Sequence, residues 1–439
     1  MSLRPALFAL PFVLLSATAS AEPVLMISLD GLRPADVIEA KKKGLNLPNL
    51  TAFLQQSAYA TGVRNVLPTV TYPDHTTLIT GVWPDKHGIG NNEVFDPTGQ
   101  NFEGWYWYAE DIKVPTLWDV VHDKKGVVGA VGWPVSVGAL AIDYNVPEYW
   151  RAQNAEDLKI VRAVATPGLI NRLEKETKLP LGALFGEDPV HDVARTAYAI
   201  QIIADAKPEL MTVHLVSLDH YQHEYGPDTE KSKQALEGLD ADVGKLIAAA
   251  KAADPSVTIA IVSDHGFAPV HAGVYLNQAF AEAGLIKLDE HGKLKSWDAF
   301  PWNAGGSAAV VLANPNDEAV KAKVAALLTK LAADPNSGVA RWIDKKGIEA
   351  RGGAVKASFW VDFKIGYSGD SSFTISKTFT LKGTHGYFPD NKEMRATFMI
   401  AGPGIKPKKL GDIDMRDIAP TLAKILDVKL EKADGKPLF

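Results

Sequence analysis

The sequence predicts an α/β fold: a mainly parallel central sheet with helices on both faces, plus a smaller inserted α+β lobe. Three observations point to it. Short apolar runs at residues 24–29, 126–131, 210–218 and 257–262 lack polar alternation, so they read as strands buried on both faces. Stretches with apolar residues at helical spacing separate them. Three of the runs also end in the same way: Asp30 follows Ile-Ser-Leu, Asp219 follows Val-Ser-Leu, and Asp264 follows Ile-Val-Ser. In open α/β sheets, strand carboxyl ends line the ligand crevice.

Residues 1–21 carry Arg4, an apolar run over 5–15 and then Ala19-Ser20-Ala21. That is a secretory signal with cleavage expected after Ala21, placing the protein in a periplasm or outside the cell. The run is too short for a membrane span of about 20 residues, and no later stretch is long and apolar enough. Strand 24–29 comes next, then a helix at 47–57. Pro73 fits the first turn of a helix running to about Ile79, where its missing N–H leaves nothing unpaired. Thr71 is then the N-cap or its neighbour, at the positive end of the dipole. Its hydroxyl is either a plain cap or a nucleophile facing an anion.

A helix at 116–122 precedes the strand 126–131, which ends at Gly132-Trp133-Pro134. Helix 188–206, strand 210–218, helix 232–252 and strand 257–262 continue the alternation. Residues 271–379 break it with short strands, a helix at 319–332 and turns such as Gly352-Gly353, so they read as an inserted lobe. The main pattern returns with Gly383-Thr-His-Gly386, strand 396–401 and helix 415–426. The principal α/β domain is therefore 22–270 with 380–439. No internal repeat is present.

The chain has no cysteine, so an exported fold must rest on its core or on bound metal. A hydrophobic content of 46% is ample for a large core. The net charge of −6 argues against a nucleic-acid duplex as partner. No obligate protein partner is evident.

Three strand-end carboxylates at one sheet edge would repel one another without a cation. His223 follows Asp219 by four residues, one helical turn, and His265 directly follows Asp264. His385 lies between Thr384 and Gly386, close to Gly383, where backbone and ligand can approach closely. Singly, each of these residues reads as well as a turn, a cap or a local hydrogen bond. Together they make six N/O ligands, enough for two divalent ions with open positions. His75, His87, His191, His214 and His220 lack such context and read as structural or surface residues.

In order along the chain stand Asp30-Gly31, Thr69-Val-Thr-Tyr-Pro-Asp-His75, Thr80-Gly81, His87-Gly88 to Asn92, Asp219 with His223, Ser263-Asp-His-Gly266 and Gly383-Thr-His-Gly386. This set resembles the nucleotide pyrophosphatase/phosphodiesterase family of the alkaline phosphatase superfamily. The resemblance implies an alkaline phosphatase-like fold and two zinc ions. One ion would be held by Asp219, His223 and His385. The other would be held by Asp30, Asp264 and His265, with Thr71 as exchangeable ligand and nucleophile. Asn92 matches the family residue that hydrogen-bonds a non-bridging phosphate oxygen. A small phosphodiester or nucleotide is the implied substrate, cleaved through a phosphothreonine. Val70, Asp74 and Gln222 depart from the usual Lys, Asn and Gly, and none of them is a ligand. For an aromatic wall against a base, Tyr72 is the first choice and Tyr149 the second.

Rival readings are a phosphomonoesterase or phosphonate hydrolase using the same zinc pair, and a secreted metal-binding protein without turnover. A monoesterase needs added positive charge for the doubly ionised phosphate face. Only Arg151 stands near the expected region. Thr at the nucleophile position and the lack of a cysteine to convert into formylglycine argue against a sulfatase.

Overall fold

The strand Val24–Leu29 is buried along its whole length and separates two hydrophobic cores. Leu25, Ile27 and Leu29 pack into one core, against the helices Pro48–Gln55, Pro189–Ala206 and Glu230–Ala253. Val24 and Met26 pack into the other, against Thr71–Thr80, Leu117–Asp123 and Ile418–Ile425. Side chains along a strand point alternately to opposite faces, so a run apolar at every position is buried on both. Each fully buried Leu or Ile contributes roughly 1.5–3 kcal/mol. The computed structural model describes residues 22–101, 104–151, 154–375 and 379–439. The expected signal, 1–21, lies outside the described residues.

Among the described residues the central sheet has eight strands, in the order Lys408–Asp414, Ala58–Arg64, Phe398–Ala401, Thr258–Val262, Val24–Leu29, Leu210–Leu215, Val128–Val131 and Tyr144–Val146. Only Phe398–Ala401 runs antiparallel to its neighbours. The fold is thus α/β with a mainly parallel sheet and helices on both faces. The three strands that the sequence pattern does not announce, Ala58–Arg64, Tyr144–Val146 and Lys408–Asp414, lie at or beside the sheet edges. They are only partly buried, and so carry no continuous apolar run.

One boundary needs correction because it moves a site residue. The strand expected over 210–218 stops at Leu215, and a helix begins at Ser217. Asp219 therefore sits in the first turn of that helix rather than at a strand end. The carboxylate of buried Asp192 makes the turn. It accepts the N–H of Val216 at 3.1 Å and of Ser217 at 2.8 Å, two donors that a helix start leaves unpaired.

Within 271–379 lies a four-stranded antiparallel sheet, in the order Ala299–Ala304, Ser307–Leu312, Phe359–Phe363 and Val339–Asp344. It has its own core, shared with the helix Glu318–Ala333. The chain returns from it through Gly383–Thr384, which pair antiparallel with Pro269 and Ala268.

Asp192 also accepts from Arg195 Nη1 at 2.6 Å, with both side chains buried. Asp192→Ala strands that guanidinium and two helix-start donors. The expected loss is about 3–5 kcal/mol of stability in denaturant unfolding.

Candidate active site

The parallel register builds the floor of the site. Ser28 stands opposite both Val262 and His214, so Asp30 and Asp264, each two residues further along, emerge at one level. The helix Thr71–Thr80, buried throughout, stands over this edge. Val70 is its N-cap and makes no side-chain cap, while Thr71 is its first residue. The Thr71 hydroxyl therefore has no capping role; it lies 3.5 Å from His265 Nε2. His385 arrives through the Gly383–Thr384 pairing and stacks on His265, with ring centroids 3.6 Å apart. Gly386 makes that approach possible. Its φ is +90°, and a Cβ there would lie 1.8 Å from the Ala304 carbonyl oxygen.

The polar atoms at the centre face one another without protons between them. His223 Nδ1 donates to Gly383 O at 2.9 Å, His265 Nδ1 to Gly266 O at 3.1 Å and His385 Nδ1 to Thr69 O at 3.1 Å. A carbonyl only accepts, so each Nε2 is left with a lone pair. Those lone pairs meet carboxylates. His265 Nε2 lies 3.4 Å from Asp30 Oδ1 and 3.2 Å from Asp264 Oδ2. His223 Nε2 is 3.4 Å from Asp219 Oδ2, and His385 Nε2 is 3.6 Å from Asp219 Oδ1. Asp30 Oδ1, Asp219 Oδ1 and Asp264 Oδ2 are buried without any hydrogen-bond partner. Two of the other carboxylate oxygens are pinned, Asp264 Oδ1 by the Gly31 N–H and Asp30 Oδ2 by His214. Acceptor facing acceptor in a buried site is unfavourable unless a cation lies between. A ring nitrogen anchored on backbone with the other left bare is the usual posture of a metal-binding histidine.

Electrostatics agree. Burial first, then the Asp264 and Asp219 charges, pushes Asp30 well above the ordinary carboxylate range. Burial raises Asp219 as well, and lifts Asp264 to about 7. Burial followed by neighbouring histidine charge holds His265 and His385 far below the usual imidazole value. Burial and crowding thus make carboxylate charge costly here, while His265 and His385 resist protonation.

The structure brings Asp30, Asp264, His265, Asp219, His223, His385 and Thr71 to one place. The grouping differs in one respect from the resemblance-based set. Two close triads form, Asp30–Asp264–His265 and Asp219–His265–His385, so His265 sits between both. His223 approaches Asp219, but its ring centre is 5.1 Å from that of His385. Asn92 Oδ1 accepts the Tyr72 N–H at 2.8 Å, which leaves its amide donors to face a ligand.

A cavity of about 440 Å³ opens beside Thr71, walled by Tyr72, Trp105, Trp150 and Phe185. Tyr72 is fully buried and meets Trp105 edge-on at 5.3 Å, so it forms the cavity's inner wall. Tyr149 is not a wall of this cavity: it packs edge-on against Trp107 in the core, and its neighbour Trp150 lines the space instead. Tyr149 instead lines a smaller cavity shared with Glu148, Trp150 and Phe185.

Three residues escaped the sequence reading. His214 and His75 are not isolated structural histidines. His214 Nε2 contacts Asp30 Oδ2 at 3.0 Å and its Nδ1 contacts Glu148 Oε2 at 3.1 Å. Burial opposes charge on His214, but hydrogen bonds and charges from Asp30 and Glu148 hold its pKa well above the usual value. His75 bonds Ser28 Oγ and the Thr71 carbonyl, one turn back on the same helix. That i, i+4 spacing was the available signal for His75; Glu148 gave none.

A family model described as type I phosphodiesterase / nucleotide pyrophosphatase matches residues 24–388. An uncharacterized pyrophosphatase/phosphodiesterase of Schizosaccharomyces pombe is 27% identical over 431 residues, covering 94% of this chain and 78% of its own. Ectonucleotide pyrophosphatase/phosphodiesterase family member 1 of Mus musculus is 24% identical over 285 residues, or 62% of this chain and only 27% of the mouse protein. Among solved structures, murine ectonucleotide pyrophosphatase/phosphodiesterase 5, as an inactive variant in complex with AMP, is similar with a TM-score of 0.68. The two share 19% identity, and the match covers 94% of this chain and 97% of the murine one.

Cations and protons compete for the same carboxylates. With Asp264 at about 7, affinity for a divalent cation is expected to fall as pH drops below about 7. Binding at pH 6 should release protons, seen as a buffer-dependent heat in titration calorimetry.

Proposed function

The chain belongs to the type I phosphodiesterase/nucleotide pyrophosphatase family of the alkaline phosphatase superfamily, and on that premise we propose that it is an exported two-zinc hydrolase of phosphodiester or phosphoanhydride bonds. The observation that carries this reading is the set of orphaned carboxylate oxygens facing bare histidine nitrogens, 3.2–3.6 Å apart, beside Thr71. The N/O donor set suits zinc. Asp30, Asp264 and His265 would hold one ion and Asp219, His385 and His223 the other. Zinc, when bound, supplies Lewis acidity that lowers the pKa of an oxygen nucleophile and offsets charge on phosphoryl oxygens.

The chain's own residues do the rest. The deprotonated Thr71 oxygen attacks phosphorus, forming a P–O bond as the alcohol or phosphorylated product departs. The resulting phosphothreonine diester is cleaved by water, regenerating Thr71. The Thr71 N–H at the helix start and the Asn92 amide would stabilise oxygen charge developing in the transition state. The Tyr72 N–H orients Asn92 for this by occupying its carbonyl.

The cavity favours a diester. Its charged lining residues are Asp30, Glu148, Glu187, His214 and Asp219, with no Lys or Arg among the lining residues. Nothing there would neutralise the extra charge of a monoester. Trp105, Trp150, Phe185 and Tyr72 suit a planar group such as a nucleoside base, whose stacking on an aromatic ring contributes roughly 1–3 kcal/mol. The AMP held by the murine relative is of that kind. We read residues 1–21 as the export signal and 271–379 as a lobe inserted into the catalytic domain, 22–270 with 380–439. No helix among the described residues is long and apolar enough to cross a membrane.

Thr71→Ala is expected to retain zinc while hydrolysis of a bis-aryl phosphodiester falls on the order of 10³–10⁶-fold. Asp219→Ala should lose about one equivalent of zinc, read by metal analysis. The parent should cleave the diester faster than the aryl monoester. Turnover by Thr71→Ala at the parental rate would sink the proposal.

A further inference from the structure

Four buried groups form a chain from the substrate cavity to the cation cluster. The Tyr72 hydroxyl donates to Glu148 Oε1 at 2.6 Å. Glu148 Oε2 lies 3.1 Å from His214 Nδ1, and His214 Nε2 lies 3.0 Å from Asp30 Oδ2. His214 Nδ1 also faces the Gly132 carbonyl at 3.1 Å, so the ring is held through both of its nitrogens. None of the four residues is more than 6% exposed. The other end of each terminal group is committed as well: the Tyr72 N–H holds Asn92, and Asp30 Oδ1 faces His265 Nε2.

We propose that His214 and Glu148 are positioning residues that fix the Asp30 carboxylate for cation binding and tie it to the substrate wall through Tyr72. The geometry supports the assignment at each link. His214 is held on a central strand, opposite Ser28, so the nitrogen that meets Asp30 is set by the sheet register rather than by a loop. Its bond takes Oδ2 and turns Oδ1, the oxygen without a protein partner, towards His265. Without His214, Asp30 would be free to rotate and offer either oxygen. Glu148 fixes the ring plane by holding the opposite nitrogen. A buried carboxylate–imidazole–carboxylate row is also a poor device for stability alone, since well-packed apolar side chains of similar volume are often as stable or more so. Partners of this kind behind a metal ligand typically change metal affinity on the order of 10–100-fold when removed.

The inference rests on the reading that Asp30 binds zinc, and the test separates the two. The full chain, zinc-loaded, is titrated with a chelator, and the free zinc at half-release is recorded for each of the two equivalents. In Glu148→Gln and His214→Phe one equivalent is expected to release at about 10–100-fold higher free zinc, with the other near the parent. Leu246→Ala, far from the site in the core, serves as a control that lowers thermal stability and leaves both release points unchanged. If His214→Phe does not fold, Glu148→Gln, nearly isosteric, carries the test. A parent that retains two zinc ions while Glu148→Gln releases them at the parental concentrations overturns the positioning role and leaves the hydrolase reading standing. A parent that binds no zinc overturns both.

Discussion

The constraint on which this structure depends is the confrontation of acceptor with acceptor at the carboxyl edge of the sheet. Three aspartates each present an oxygen with no donor, and three imidazoles present bare nitrogens towards them. Buried and unpaired, such groups destabilise a fold by several kcal/mol each. The arrangement persists because the surroundings hold the far side of five of these six side chains. Backbone carbonyls hold the three Nδ1 atoms, the Gly31 N–H holds Asp264, and His214 holds Asp30.

The sheet explains how so many like groups are forced together. Parallel strands in register deliver Asp30 and Asp264 at one height, and Asp192 starts the helix that carries Asp219 and His223. The last ligand comes from far along the chain. After the segment 271–379, Gly383–Thr384 pair with Pro269 and Ala268, just past Asp264-His265, and that pairing sets His385 on His265.

Thr71 gains its character from the same economy of partners. It opens a fully buried helix whose cap is an apolar valine, so its hydroxyl is spared for the cluster. Its neighbour Tyr72 works in both directions, with its N–H on Asn92 and its hydroxyl on Glu148. The aromatic cavity and the cation cluster are therefore parts of one hydrogen-bonded unit.

The sequence by itself determined the α/β class, the central strands and the identity of the converging acids and histidines, because continuous apolar runs and strand-end Asp residues are local patterns. Edge strands such as Tyr144–Val146 and Lys408–Asp414 stayed hidden, since half-buried strands keep no such run. The start of the helix at Ser217 was also invisible, because the carboxylate that makes it belongs to Asp192, far off in sequence. Only the tertiary structure decided that His265 lies between two triads, that Trp150 rather than Tyr149 walls the cavity, and that His214 and Glu148 stand behind Asp30. Those facts depend on which strands neighbour one another and on where side chains turn after a strand ends. Both are set by packing across the whole molecule, and no local pattern encodes them.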